Sequence, residues 1–236
     1  NETVIKEGNK IRKKQGKTME ILREYMSHFQ IQNPSSIPFI GGAVGFIGYD
    51  VVRQYEKLKE PNKDTIGTPD IHLVFAKEII AYDHFHQQIY LIVLDEDTKE
   101  GEEKARKIIS LMEKELKNEV GTKEMAKVSS SFKSIKSNMS KEEYMEKVKK
   151  AKRYIHEGDI SQVVISKRWT LETQEDAFSL YRKLRRLNPS PYLFYLNFGE
   201  YQVAGSSPEM LVEVRKDKVY TCPIAGTRKR GKDEKE

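Results

Sequence analysis

The sequence predicts an α+β fold, and three observations carry the prediction. Strand-like and helix-like segments are mixed along the chain rather than strictly alternating, hairpins cluster late in it, and two long stretches carry the helical period. Met19 to Phe29 reads as a short amphipathic helix, with Met19, Leu22, Met26 and Phe29 at three- and four-residue spacing. Ile37 to Tyr49 (IPFIGGAVGFIGY) is apolar and glycine-rich, which suits a buried strand where backbones approach closely. A polar loop with Pro61, Asn62, Gly67 and Pro69 follows. Two strand-like runs, Ile71 to Tyr82 and Gln88 to Leu94, are joined through DHFHQ as a hairpin with a longer loop. Lys99 to Lys117 is a helix with Ala105, Ile108, Ile109, Met112 and Leu116 on one face.

Asn118 to Asn138 is polar and rich in Ser and Lys, the composition of a linker. A helix then begins at Ser140, which can cap it while Glu143 reaches back, and Gly158 ends it; Tyr144, Val148, Ala151 and Ile155 form its apolar stripe. A strand (Ile160 to Leu171), a helix (Asp176 to Leu187) and strands around Tyr192–Phe198, Tyr201–Ala204, Met210–Arg215 and Lys218–Cys222 complete the chain. The domain reading is therefore 1–118, a linker at 119–139, and a second domain at 140–236.

Length and composition narrow the function classes. The 236 residues suffice for one large domain or two small ones. Hydrophobic residues make up 37% and charged residues 33%, against about 45–50% and about 25% in typical domains, so much of the chain is expected to face solvent. No apolar run approaches the roughly 18 residues of a membrane span, so no membrane association is expected. The +6 net charge comes from 42 Lys and Arg interleaved with 36 Asp and Glu, the pattern of solvated helix faces rather than of a nucleic-acid surface. The lone Cys222 forms no internal disulfide and fits a reducing, cytoplasmic compartment; with no partner beside it, it reads as a buried structural thiol. The chain opens on Asn1 and closes on a charged run, so both ends look cut from a longer protein.

Metal ligation finds no support in the five scattered histidines; His84 and His86 sit in a hairpin turn. Gly41, Gly42, Gly45 and Gly48 spell no nucleotide-binding loop. The second half is more specific. In GDISQVVISKRW, Gln162 places a neutral amide at the head of a strand, between a helix cap and apolar residues. NPSPYLFYLNFG breaks a helix with two prolines and enters an aromatic strand, which fixes a rigid loop at the strand mouth. In GSSPEMLVEV, Glu209 follows Ser-Pro at the start of an apolar strand, where a buried carboxyl group would suit general-acid work. PIAGT, Pro223 to Thr227, can offer backbone N–H groups and a hydroxyl to a carboxylate.

These segments together resemble the chorismate-binding domain of the large subunit of anthranilate synthase (component I) and its relatives, and Ile37 to Leu58 is similar to that family's N-terminal domain. The resemblance runs from about Val4 to Arg230 and covers about half of the family's full length. It implies two packed antiparallel β-sheets with external helices and a cleft between them. It also implies a lyase of tryptophan biosynthesis that converts chorismate and ammonia into anthranilate and pyruvate. Family members work with a glutamine amidotransferase subunit (component II), use Mg²⁺ and are feedback-inhibited by L-tryptophan. On this resemblance Glu209 is the acid for the departing ring hydroxyl, and Gly226, Thr227 and Ala225 line the substrate site. Pro191, Tyr192, Leu193, Asn188 and Ser190 form the tryptophan-binding segment, with Leu193 where the family usually carries Met. Gln162 stands where water-using siblings carry Lys, and Ala225 where aminodeoxychorismate synthases typically carry a nucleophilic Lys; both point to anthranilate synthase. The Mg²⁺ ligands, a catalytic His and an early Leu-Glu-Ser segment of the family fall outside this chain, which is therefore expected to be inactive alone. Two alternatives stay open: aminodeoxychorismate synthase component I, and a non-catalytic tryptophan-binding or partner-docking fragment.

Overall fold

The computed structural model describes residues 2–33, 35, 37–118, 134–224, 226, 231 and 232. The chain divides into two compact units, Asn1–Gly121 and Thr122–Glu236.

The first unit opens on an unpredicted hairpin, β1 (Glu2–Glu7) antiparallel to β2 (Lys10–Gln15), with Gly8 at φ 56° in its turn. The sequence of β2, KIRKKQ, has no apolar alternation because nearly every residue on it is exposed. Its cations instead pair with carboxylates: Arg12 with Glu7, and Lys13 Nζ with Glu2 at 3.1 Å. Helix α1 (Thr18–Met26) buries Ile21 and ends before the expected Phe29. Its first amide, Thr18 N–H, donates to Gln54 Oε1 at 2.8 Å. Tyr25, near its end, donates its hydroxyl to Glu7 at 2.6 Å and meets the Phe75 ring edge-on at 4.8 Å.

Strand β3 (Gly42–Ile47) pairs antiparallel with β4 (Ile71–Ala76), and this ladder accounts for the glycine-rich sequence. Gly45 lies so close to β4 that a Cβ there would collide with the His72 carbonyl. The expected strand is shorter than the apolar run, since Tyr49–Gln54 coils into a 3₁₀ turn with Val51 buried. The run Ile71 to Tyr82 is likewise not one strand. It breaks at Lys77, whose carbonyl accepts from Leu94 N–H at 2.8 Å, and the chain continues as β5 (Glu78–Asp83) paired with β6 (Gln88–Val93). The hairpin between them is closed by Asp83 Oδ1, which accepts from Phe85 N–H at 2.8 Å and His86 N–H at 3.1 Å. Helix α2 (Lys99–Lys117) starts at Thr98, whose hydroxyl accepts from Gly101 N–H at 3.0 Å, and lies against β6.

The second unit contains β7 (Ile135–Ser137), inside the stretch read as a linker, paired with β8 (Trp169–Leu171). Asn138 extends the pair, donating N–H to Arg168 O at 3.1 Å and accepting Arg168 N–H at 2.9 Å. Helix α3 (Lys141–Glu157) has the capping box read from its sequence: Ser140 Oγ accepts from Glu143 N–H at 3.1 Å and Glu143 Oε2 from Ser140 N–H at 2.7 Å. Gly158 ends it in the left-handed region at φ 83°. Helix α4 (Ala177–Leu187) follows Asp176, whose carboxylate accepts from Ser179 N–H at 2.8 Å. The chain then forms β9 (Tyr192–Asn197) paired with β10 (Gln202–Ser207), and β11 (Glu213–Arg215) paired with β12 (Lys218–Tyr220).

The α+β class with antiparallel sheets is what the sequence predicted, and within this chain every sheet is a two-stranded ladder among the described residues. The core is correspondingly thin. The buried hydrophobic residues among those described are Ile21, Ile40 and Val51. The α3 stripe is only partly covered, with Ile155 exposed, and Cys222, expected inside, is exposed. No helix among the described residues is long and apolar enough to cross a membrane.

Two outcomes follow from this packing. Gly45→Ala is expected to destabilise the first unit by about 1–3 kcal/mol, the usual cost of overpacking, because the obstacle is a backbone carbonyl that cannot swing away; a denaturant midpoint equal to wild type would refute it. The second concerns Glu7, whose carboxyl is held below the ordinary carboxylate range chiefly by the Tyr25 hydroxyl and then by Arg12, while the same bond pushes the Tyr25 phenol up. A depressed carboxyl group stabilises the fold above its unfolded pKa and loses that contribution as pH falls through the folded value. Tyr25→Phe is expected to move the Glu7 titration midpoint upward in carbon-detected NMR, and an unmoved midpoint would assign the shift to Arg12 alone.

Candidate functional site

The site is built on the β9–β10 ladder of the second unit. Residues 188–191 carry the chain from α4 into β9 and keep both prolines off the ladder, where a missing N–H would cost a hydrogen bond. Asn188 N–H still donates to Leu184 O at 2.8 Å, so the start of this segment is tied to the last turn of α4. Helix α4 lies against β10 and β9, and its Phe178 and Tyr181 rings meet Tyr195 of β9 at 5.2 and 5.8 Å. Pairing places Tyr192 opposite Ser207, Leu193 opposite Ser206, and Phe194 opposite Gly205. The Phe194 ring covers Gly205 so closely that no Cβ fits there without displacing it.

Beyond β10 the chain turns at Pro208 into Glu209. Ser207 Oγ accepts from Glu209 N–H and donates to Glu209 O, both at 3.3 Å, which closes the turn. Glu209 Oε1 in turn accepts the Ile224 N–H at 2.9 Å. One bond thus brings the Ser-Pro-Glu turn to the PIAGT segment, fifteen residues away. A second, Thr221 Oγ1 to Leu211 O at 3.1 Å, fastens the same two stretches. Chemically, this sets a carboxyl group on a short, proline-stiffened turn beside the exposed Pro223 and Ile224.

The predicted site residues are placed as follows. Asn188, Pro191 and Tyr192 are exposed, Ser190 and Leu193 half-buried, and all five lie on one short segment at the mouth of β9. Glu209 is exposed rather than buried, with a backbone amide for its partner. Gly226 is exposed with open space around it, and Ala225 and Thr227 lie outside the described residues. Gln162 is the clearest departure. The expected strand Ile160 to Leu171 is a strand only at Trp169–Leu171, because residues 160–167 have no ladder partner among the described residues. Gln162 is exposed in that unpaired stretch, beside a bare Val164 that is 83% exposed, and no hydrogen bond among the described residues ties it to Glu209. Sequence reasoning also missed Ser206, whose hydroxyl donates to Asn188 O at 2.7 Å; the doubled serine of GSSPE was the available signal.

Two clefts, of about 330 and 390 Å³, open in the first unit around Tyr25, and none of the predicted site residues lines either. The first is walled by the Glu7, Arg12, Lys14 and Glu24 charges, and the second by apolar residues such as Ile5, Ile21 and Phe75 mixed with Glu2, Lys6 and His72. No group of three or more His, Cys, Asp or Glu among the described residues could hold a metal, so those residues do not fit a Mg²⁺ site by themselves.

Known proteins resemble this chain along most of its length. The family model for chorismate binding enzymes matches residues 2–236. Anthranilate synthase component 1 of Acetivibrio thermocellus is 43% identical over 246 residues, covering 100% of this chain and 50% of that protein. The Aquifex aeolicus protein of the same name is 40% identical over 225 residues, covering 93% and 45%. The crystal structure of anthranilate synthase component I from Streptococcus pneumoniae superposes with a TM-score of 0.77 at 31% identity, over 92% of this chain and 50% of that one. The chain spans about half the length of the curated relatives it matches. With a family match along nearly its whole length and the fold of a solved member, this chain belongs to the chorismate binding enzyme family.

Proposed function

We propose that this chain is part of an anthranilate synthase component I, a cytoplasmic lyase of tryptophan biosynthesis that acts on chorismate. In the complete protein, ammonia adds to the chorismate ring, the ring hydroxyl leaves as water, and the enolpyruvyl side chain departs as pyruvate, which leaves anthranilate. Atoms balance: chorismate and ammonia give anthranilate, pyruvate and one water. The observation that carries the reading is the Glu209–Ile224 bond, which sets a carboxyl group against the loop proposed to take the substrate. Glu209 supplies the proton to the departing hydroxyl, and Gly226 and Thr227 contact the substrate.

Two residue types separate this reaction from its siblings. Ala225 offers no nucleophile, and Gln162 offers no base with which to activate water. The names of the relatives support the same choice. Ammonia is delivered by a glutamine amidotransferase subunit; the designation "component 1" of those relatives supports a second component. Mg²⁺ belongs to the complete enzyme, and the described residues make no site for it by themselves. L-Tryptophan inhibits by occupying the segment Asn188, Ser190, Pro191, Tyr192 and Leu193, a ledge fixed to α4 at one end and to β10 along its strand.

The full-length protein provides the test. Glu209→Gln keeps the size and a hydrogen-bond acceptor but loses the transferable proton, so anthranilate formation from chorismate and ammonia should fall roughly 10²–10⁴-fold. Fluorescence of the product reads the rate, and turnover near wild type would remove Glu209 from the chemistry. Tyr192→Ala should weaken tryptophan binding by calorimetry about tenfold or more, the scale of one well-packed aromatic contact; unchanged affinity would place the inhibitor elsewhere.

A further inference from the structure

We propose that Ser206 is a positioning residue: its hydroxyl ties the Asn188–Leu193 segment to Glu209, so that a change at one is felt at the other. The inference rests on the reading of Glu209 and of that segment given above, and it deepens the regulation of the same site.

The geometry is a continuous set of short links. Asn188 is anchored by its N–H to Leu184 O of α4 at 2.8 Å, and its own carbonyl receives the Ser206 hydroxyl at 2.7 Å, eighteen residues along the chain. Ser206 is half-buried and stands opposite Leu193 in the β9–β10 register, so one residue touches both ends of the 188–193 segment. From Ser206 the path to Glu209 runs through Ser207 and Pro208. Ser207 stands opposite Tyr192 and fastens the Glu209 backbone through two hydrogen bonds at 3.3 Å. Pro208 has a fixed φ and leaves little freedom to absorb a displacement. At the far end, Glu209 Oε1 holds the Ile224 N–H at 2.9 Å.

Physically, the bond matters because its acceptor is a carbonyl at a helix end. The last carbonyls of a helix lack intrahelical partners, and a chain that leaves at Asn188 with φ −137° and ψ 71° has no further turn to satisfy them. Ser206 supplies that donor from β10. If a ligand on Pro191 and Tyr192 draws the segment away from β10, either the Ser206 bond breaks or the end of β10 follows, and the Ser-Pro-Glu turn moves with it. Reciprocity then requires that substrate held at Glu209 shift the affinity for that ligand by the same factor.

The experiment uses the full-length protein and three variants. Ser206→Ala removes the hydroxyl, Ser206→Thr keeps it, and Ser206→Cys keeps the shape with a poor donor. Two quantities are read: kcat and KM for anthranilate formation, and the ratio of tryptophan Kd values with and without chorismate. Ser206→Ala is expected to lower kcat roughly three- to tenfold, the scale of one hydrogen bond, with chorismate KM little changed, and to draw the Kd ratio toward one while tryptophan still binds. Ser206→Thr should restore both. Ser206→Cys should lie between, and it decides the matter if Ser206→Ala does not fold. Wild-type kcat and Kd ratio in the Ala or Cys variant, or losses that Thr leaves uncorrected, overturn the proposal. A Kd ratio of one in the wild-type protein counts against tryptophan regulation itself, and the kcat comparison then decides the role of Ser206 alone.

Discussion

The β9–β10 ladder is the constraint on which the second unit's site depends. It pairs six residues of each strand, from Tyr192 opposite Ser207 to Asn197 opposite Gln202, and it carries the 188–193 segment and the Ser-Pro-Glu turn at its Tyr192–Ser207 end. A slip of one residue would turn Ser206 and Ser207 to the opposite faces, detach Asn188 from its donor and swing the Ser-Pro-Glu turn away from Ile224. Several features hold the register. Phe194 fills the space above Gly205, Tyr195 is gripped by two rings of α4, and Phe198 N–H closes the hairpin on Tyr201 O at 3.1 Å. The prolines sit just outside the ladder, where they stiffen the approach without removing any of its bonds.

How much of this could be read beforehand depended on whether the signal was local. The start and end of α3 were legible because Ser140, Glu143 and Gly158 each act on backbone within a few residues. The β5–β6 hairpin was legible for the same reason, through Asp83 and its neighbours. β1 and β2 were not, because their residues are mostly exposed and give no buried apolar face to read. Residues 160–167 failed in the opposite sense: alternation was present, but alternation predicts a strand only where another strand pairs with it. At the site, Glu209 and the two-proline segment stood out as residue types. Ser206 did not, since its partner is a main-chain carbonyl that no sequence pattern names.

The first unit shows a different balance between packing and charge. Around α1, the Tyr25, Phe29 and Phe75 rings form an aromatic knot with centroids 4.8 to 6.0 Å apart, while Glu7, Arg12, Lys14 and Glu24 pair along its rim. Such exposed ion pairs are worth little individually. Their clearer effect is on pKa: hydrogen bonds from Tyr25 and Lys14 hold Glu7 and Glu24 below the ordinary carboxylate range. The aromatic knot thus joins α1 to β4, while the hairpin β1–β2 is tied to α1 by the Tyr25–Glu7 and Lys14–Glu24 bonds, a screened electrostatic fringe.

The two-stranded character of every ladder among the described residues bears on how the chain is made. Four of the six ladders among those residues, β1–β2, β5–β6, β9–β10 and β11–β12, join neighbouring strands across short turns. Such hairpins close within about 1–10 μs, far faster than a ribosome adds the next residue. The emerging polypeptide would carry finished hairpins long before distant strands exist to flank them, while β7 must wait for β8, more than thirty residues later. Each waiting hairpin keeps an unpaired edge of N–H and C=O groups, a template for any extended chain nearby. The order of synthesis, and not only the final packing, thus favours a sequence as heavily charged as this one, because Lys and Glu along open edges discourage premature pairing.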